Sequence, residues 1–111
     1  RLMADMLREG EQRLMLLSLL QRQYRQLLFI KILSNERMSP DMMSKNLSLS
    51  PFVVRKLQPL AQNYPVDELL WAQNLLTDTE FFVKSGQIPE EGSLEQAVYR
   101  LLAKRMKEQV S

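Results

Sequence analysis

Asp78 and Glu80, two positions apart and followed by Glu91, are the strongest candidates for chemistry in this 111-residue chain. Two carboxylates aimed at one point could share acid–base work or hold Mg²⁺. Residues two apart on a helix diverge, so this pair does not make such a site. The remaining acids, among them Asp41, Asp67, Glu68, Glu90 and Glu95, fall at helix starts or on solvated stripes, where capping and solubility account for them. The chain contains no histidine and no cysteine. That removes the usual general base, the commonest metal ligand, thiolate metal sites and disulfides. Gly10, Gly86 and Gly92 are scattered, and no G-K-[ST] phosphate loop occurs. No catalytic residue, cofactor or metal is expected.

Basic residues cluster three times, as Arg22 with Arg25, Arg55 with Lys56, and Arg100 with Lys104, Arg105 and Lys107. The net charge of +2 is too small to demand nucleic acid or an anionic membrane as partner. Such clusters are ordinarily solvated, and the sharper reading is a contact surface for acidic neighbours or a nucleic-acid backbone. No aromatic residue interleaves with the 100–107 cluster, so base stacking is not suggested. The spacing of Tyr24 assigns it to a core stripe. Trp71, Phe81 and Phe82 are expected in the core, with one of them available as an interface anchor. The candidate interface residues are Arg22, Arg25, Phe29, Arg55, Lys56, Trp71, Arg100 and Lys104.

The elements that would position these residues are helical. Leu, Met, Gln, Arg, Lys and Glu dominate, and all favour helix. Residues 2 to 9 form a helical stub with Leu2, Met3, Met6 and Leu7 on one face, and Gly10 stands where a C-cap would. A second helix runs from about Gln12 to Ser34 on Leu14, Leu17, Leu20, Tyr24, Leu27 and Leu28. Leu16, Leu19, Ile30 and Ile32 widen that stripe, which places the helix in the middle of a bundle. Ser39-Pro40-Asp41 and Ser50-Pro51 each start a short helix. Pro59 should interrupt and kink the second of these, which ends near Asn63. Beyond Tyr64-Pro65, Asp67 and Glu68 load the first turn of a helix reaching Ser85, with Gly86 as its stop. Val66, Leu69, Leu70, Leu76, Phe82 and Val83 are its apolar face, and Glu80 can pair with Lys84. Ser93-Leu94-Glu95-Gln96 fits a capping box opening a last helix to about Glu108. Its expected buried stripe is Leu94, Ala97, Val98, Leu101, Leu102 and Met106. The fold expected is all-α, a compact bundle of about five helices with a leading stub, forming one domain over 1–111.

Residues Ser39 to Leu57 also read as a helix-turn-helix. A DNA reader presents the start of its second helix to base edges, and here that start is Pro51, Phe52, Val53 and Val54. An apolar turn cannot pair with base donors and acceptors, so it is expected to be buried, and packing of two short helices is the preferred reading. A small helix-turn-helix DNA-binding domain is the alternative.

Several segments resemble one family. The run Leu19-Leu20-Gln21-Arg22-Gln23-Tyr24-Arg25-Gln26-Leu27-Leu28, followed by Lys31, is similar to an R-Q-[FY]-R core with leucines and a lysine in the C-terminal collar domain of the bacterial DNA polymerase III delta subunit. Met38-Ser39-Pro40 and the stretch from Leu47 to Leu57 resemble its H-P-F-V-V-K-K segment. Tyr64 to Leu70 resembles its F-S-x-E-E-L start, and Leu75-Leu76 through Lys84-Ser85-Gly86 its L-L…D-x-x-x-K-[ST]-G ending. The likeness covers about residues 7 to 105. Ser48, Ser50, Pro59, Pro65 and Glu80 depart from the pattern, mostly on the short-helix half.

The resemblance implies a non-catalytic assembly domain of a clamp loader, the machine that places the sliding clamp on DNA during replication. The implied partners are the ATPase subunits and the delta prime subunit, through their own collar domains. DNA and the clamp would be met only through the parent complex. A cytoplasmic location follows, and no run such as Met15-Leu16-Leu17 is long enough to span a bilayer. Surplus apolar residues (Leu16, Leu19, Phe29, Ile30 and Trp71) would supply the interface, and the isolated chain is expected to self-associate.

Overall fold

The computed structural model describes residues 2–110, with the side chains of Leu2, Met3, Met6 and Leu7 left out of the description. The stripe expected on those four residues therefore lies outside the described side chains. Five helices follow in order: α1 Leu2–Asn35, α2 Pro40–Leu47, α3 Pro51–Gln62, α4 Val66–Lys84 and α5 Ser93–Val110. There is no strand among the described residues.

The expected stub and second helix are one helix of 34 residues. Gly10 does not cap it. A Cβ there would stand 3.2 Å from the Glu90 carboxylate, so glycine leaves room for the α4–α5 loop to cross the helix. Arg13, one turn further on, meets Glu90 at 3.0 Å and Glu95 at 3.4 Å and holds that crossing in place.

α1 touches all four other helices, as its broad apolar character implied. Its two halves serve different cores. Leu17 is fully buried among Ala72, Leu76, Ala97 and Leu101 of α4 and α5. Leu27, Leu28 and Ile30 pack instead with Met43, Val54, Leu57, Ala61 and Leu69. α4 also straddles both cores, giving Leu69 to one and Ala72 and Leu76 to the other. The short pair α2–α3 therefore closes one end of the bundle and α5 the other, with Tyr24 bordering both cores.

The cap signals behave as their chemistry requires at α2 and α3. Ser39 accepts from the Met42 amide and Ser50 from the Val53 amide, both at 3.2 Å, with proline at the first helical position each time. Pro59 does not divide α3, which is continuous to Gln62. The ring lies on the exposed side, and the opposite face (Val54, Leu57 and Ala61) is buried against its neighbours. The capping box at α5 is not formed. Gly92, at φ +81°, offers the carbonyl that accepts the Gln96 amide at 3.0 Å. The Ser93 hydroxyl instead donates back to the Glu90 carbonyl at 2.6 Å.

Several expected core residues face outward. The buried seam of α5 is Ala97 with Leu101, while Leu102 and Met106 are 59% and 65% exposed and Val98 is also exposed. A narrow seam is enough because α5 packs on α4 and α1 alone and leaves its other sides open. Leu70, Phe81 and Phe82 on α4 are exposed as well, and the two phenylalanines stack edge-to-face at 5.6 Å. Phe52, expected buried, is 69% exposed at the start of α3.

Candidate functional site

The carboxylate pair considered for catalysis is divided as helical geometry demands. Glu80 turns toward α1, accepting from the Ser18 hydroxyl at 2.6 Å and pairing with Lys84 at 3.6 Å. The Ser18 hydrogen bond, with Gln21 and Lys84 assisting against partial burial, holds the Glu80 carboxyl below the usual carboxylate range. Asp78 lines a separate groove between α4 and α5. Among the described residues, no three of His, Cys, Asp and Glu are grouped to hold a metal ion.

The Glu80 contact makes a prediction. A lowered acid contributes stability that is present above the unfolded pKa and lost as pH falls through the folded value. Ser18→Ala should therefore raise the Glu80 pKa toward the usual range, read by carboxyl NMR titration. It should cost about 1 kcal/mol at neutral pH and progressively less in acid. An unmoved titration would show that Ser18 is not the cause.

Glu68 and Arg105 lie elsewhere than the charge pattern suggested. Glu68, assigned to a solvated first turn, is 3% exposed. Arg105, grouped with the surface cations, reaches back from α5 to stand 3.2 Å from Glu68. The same guanidinium donates to the Asn63 carbonyl at 2.9 Å and lies 4.5 Å from the centre of the Tyr64 ring. Tyr64 in turn meets Tyr24 edge-on at 6.4 Å. Burial, with the Tyr64 hydroxyl and the Glu68 charge adding to it, pushes the Tyr24 phenol up to about 12. Burial also holds the Glu68 carboxyl above the usual range, against the pull of Arg105. These four side chains form a polar knot tying α1, α4 and α5 together. Sequence reasoning missed it because Arg105 looks like its three cationic neighbours. The available signal was the period: Arg105 falls four residues after buried Leu101.

The eight candidate interface residues are spread over three surfaces. Arg22, Arg25 and Phe29 of α1 line one groove with Asn46, Leu47 and Leu49. Arg55 and Lys56 are exposed on α3, apart from that groove and from the one that Asp78 lines. Trp71, Arg100 and Lys104 come together across α4 and α5, the two cations 5.8 and 5.7 Å from the indole centroid. No aromatic residue interleaves with this basic cluster in the sequence, yet the fold brings one to it. Trp71 comes from a different helix, and Tyr99, 72% exposed, stands beside it.

The outer face of α1 carries a broad uncovered apolar surface. Met15, Leu16, Leu19 and Phe29 are 58%, 46%, 51% and 44% exposed. Met15, Leu19, Arg22, Gln26 and Phe29 recur at alternating steps of four and three, the spacing of a helix-packing seam. Ile30, expected on this surface, is fully buried, and Trp71 is half-buried on α4.

A family model for the DNA polymerase III delta subunit, C-terminal domain, matches residues 1–101. Among solved structures, the fold is similar to the Bacillus subtilis DNA clamp loader delta protein (YqeN), with a TM-score of 0.79 at 23% identity. The match covers 91% of this chain and 30% of that one, so the chain spans under a third of its solved relative. No curated protein matches.

Proposed function

The chain belongs to the family of C-terminal domains of the DNA polymerase III delta subunit, and from that premise we propose that it is a non-catalytic assembly domain of a clamp loader. It holds its parent subunit to the other loader subunits, the ATPase subunits and delta prime, by burying helical surface against their equivalent domains. The parent takes part in placing the sliding clamp on DNA, in the cytoplasm, as one component of the polymerase III holoenzyme. No helix among the described residues is long and apolar enough to cross a membrane.

The observation that carries this reading is the outer face of α1. A bundle of this size has a core to bury Leu17, Leu27, Leu28 and Ile30, yet leaves Met15, Leu16, Leu19 and Phe29 in water. Met15, Leu19 and Phe29 share one face of α1 with Leu16 at its edge, and large apolar side chains left in water there mark a surface that a neighbour covers. Obligate interfaces of this kind typically bury more than about 2,000 Å² in total and are more apolar than ordinary surface. The helix-turn-helix alternative gains no support, since α3 presents an exposed phenylalanine rather than a base-reading donor at its start.

The test is co-purification of the full-length protein with the other loader subunits, alone and as Leu16→Ser/Leu19→Ser. The parent is expected to join them, and the double variant to fold normally but drop out of the complex. Retention of the double variant would remove α1 from the interface. Failure of the unaltered protein to associate would end the reading.

A further inference from the structure

The valley between α4 and α5 has two ends of different chemistry. One hollow, of about 470 Å³, is walled by Leu75, Phe82 and Ile88, with Asp78 on its rim. Phe82 and Ile88 are each 38% exposed, so their apolar surface faces the opening. A second hollow, of about 300 Å³, is lined by Tyr99, Arg100, Lys104 and Lys107 and by no carboxylate. Trp71 and Arg100 line both hollows, so the two lie on either side of the indole. Along α5, Ser93 in the first hollow and Lys107 in the second are separated by about 21 Å of helix rise.

We propose that this valley receives an acidic peptide segment of a partner protein, with a bulky apolar side chain between Phe82 and Ile88 and carboxylates over Arg100 and Lys104. Charge complementarity selects the occupant. Lys104 pairs with Glu108 at 3.4 Å and also feels the Glu68 charge, while Arg100 lies against the Trp71 ring. An arriving carboxylate can pair with Arg100 without displacing an existing ion pair. The indole beneath the two cations keeps one side of them out of water, which strengthens their pull on an anion. Beyond Arg100 the first hollow is lined by no cation, which disfavours a polynucleotide. A strand carrying a phosphate at every step would have to pass the Asp78 carboxylate in the first hollow. The proposal is independent of the assembly reading, which is tested on α1.

Trp71 is the single tryptophan of the chain and sits between the two hollows, so its emission reports occupancy. The probe is a labelled, tryptophan-free peptide of roughly ten residues, long enough to span the valley, with Leu-Phe at one end and a run of aspartates at the other. The full-length protein is expected to bind it saturably by anisotropy, and this chain by Trp71 emission as well. The same peptide with lysines for aspartates, and oligothymidylate of equal length, should not bind. Arg100→Gln/Lys104→Gln should weaken the aspartate probe at least about tenfold. Ile88→Ser should weaken it separately, at the other end. Both variants should keep the parent's circular dichroism, since Ile88 and Arg100 are exposed and Lys104 gives up only a partly exposed pair with Glu108. Equal binding of the lysine probe, tighter binding of oligothymidylate, an unchanged affinity in the charge variant, or no saturation below about 1 mM (the weak end of specific recognition) would each overturn the proposal.

Discussion

Arg105→Met should destabilise the chain by about 3 kcal/mol, measured by urea unfolding at neutral pH, because it leaves the Glu68 carboxylate buried without a counter-charge. Glu68 is 3% exposed and Arg105 is the cation within ion-pair distance of it. The contact is electrostatic rather than a formed hydrogen bond. At 3.2 Å the geometry leaves that Glu68 oxygen without a donor, while the guanidinium donates to Asn63. Replacing both members, as Glu68→Leu/Arg105→Met, should recover at least about 2 kcal/mol of the loss, since an apolar pair has no desolvation penalty to offset.

The deficit of Arg105→Met should also depend on pH in a stated direction. Glu68 titrates above the usual range in the fold, so the folded chain holds that proton more tightly than the unfolded chain. The corresponding stability is fully present below the unfolded pKa and is lost as pH rises through the folded value. Removing Arg105 pushes the folded value higher still. The difference between variant and parent should therefore be largest near neutrality and shrink toward about pH 4, near the unfolded carboxylate's range. A deficit that grows on acidification, or a Glu68→Gln variant worse than Arg105→Met, would refute the account of the knot.

Leu17→Ala is expected to cost about 3 kcal/mol, and its sequence neighbour Leu16→Ala less than about 0.5 kcal/mol. The two leucines are chemically identical and adjacent, yet Leu17 is fully buried and Leu16 is 46% exposed. Leu17 sits where three helices meet, opposite Ala72 and Ala97, whose small side chains let the backbones approach. A cavity there has little to fill it, so the loss lies above the simple transfer cost. Truncating Leu16 removes surface that water already touches. If Leu16→Ala instead unfolded the chain, the outer face of α1 would be part of its own core, and the case for a neighbour covering it would disappear.

The same contrast shows where sequence reasoning reached and where it stopped. Helix content and cap chemistry were legible because they depend on neighbours in the chain. Ser39-Pro40 and Ser50-Pro51 cap their helices whatever the helices later pack against. Burial was legible on α1 only in part, since Leu16, Leu17 and Leu19 offer the same apolar area and differ only in which direction a neighbour lies. Gly10 was misread for a related reason. Local chemistry makes glycine a helix terminator, whereas here it clears a path for Glu90, a residue 80 positions away.

Residue types and their spacing alone established an all-helical chain without histidine, cysteine or a phosphate loop, and the order of its motifs pointed to the family. Local propensities and the absence of reactive groups survive any packing arrangement, so they could be read without one. Which cation is buried and which is free, and which aromatic ring it meets, depended on the fold. Arg105 closes on Glu68 while Arg100 and Lys104 converge on Trp71, although all three lie within six residues of one helix. Their roles separate because α5 turns about 100° per residue against α4, so one face enters the bundle and another borders an open valley. That rotation is set by how Ala97 and Leu101 seat against α1 and α4, an outcome of packing the whole bundle rather than of any segment within it.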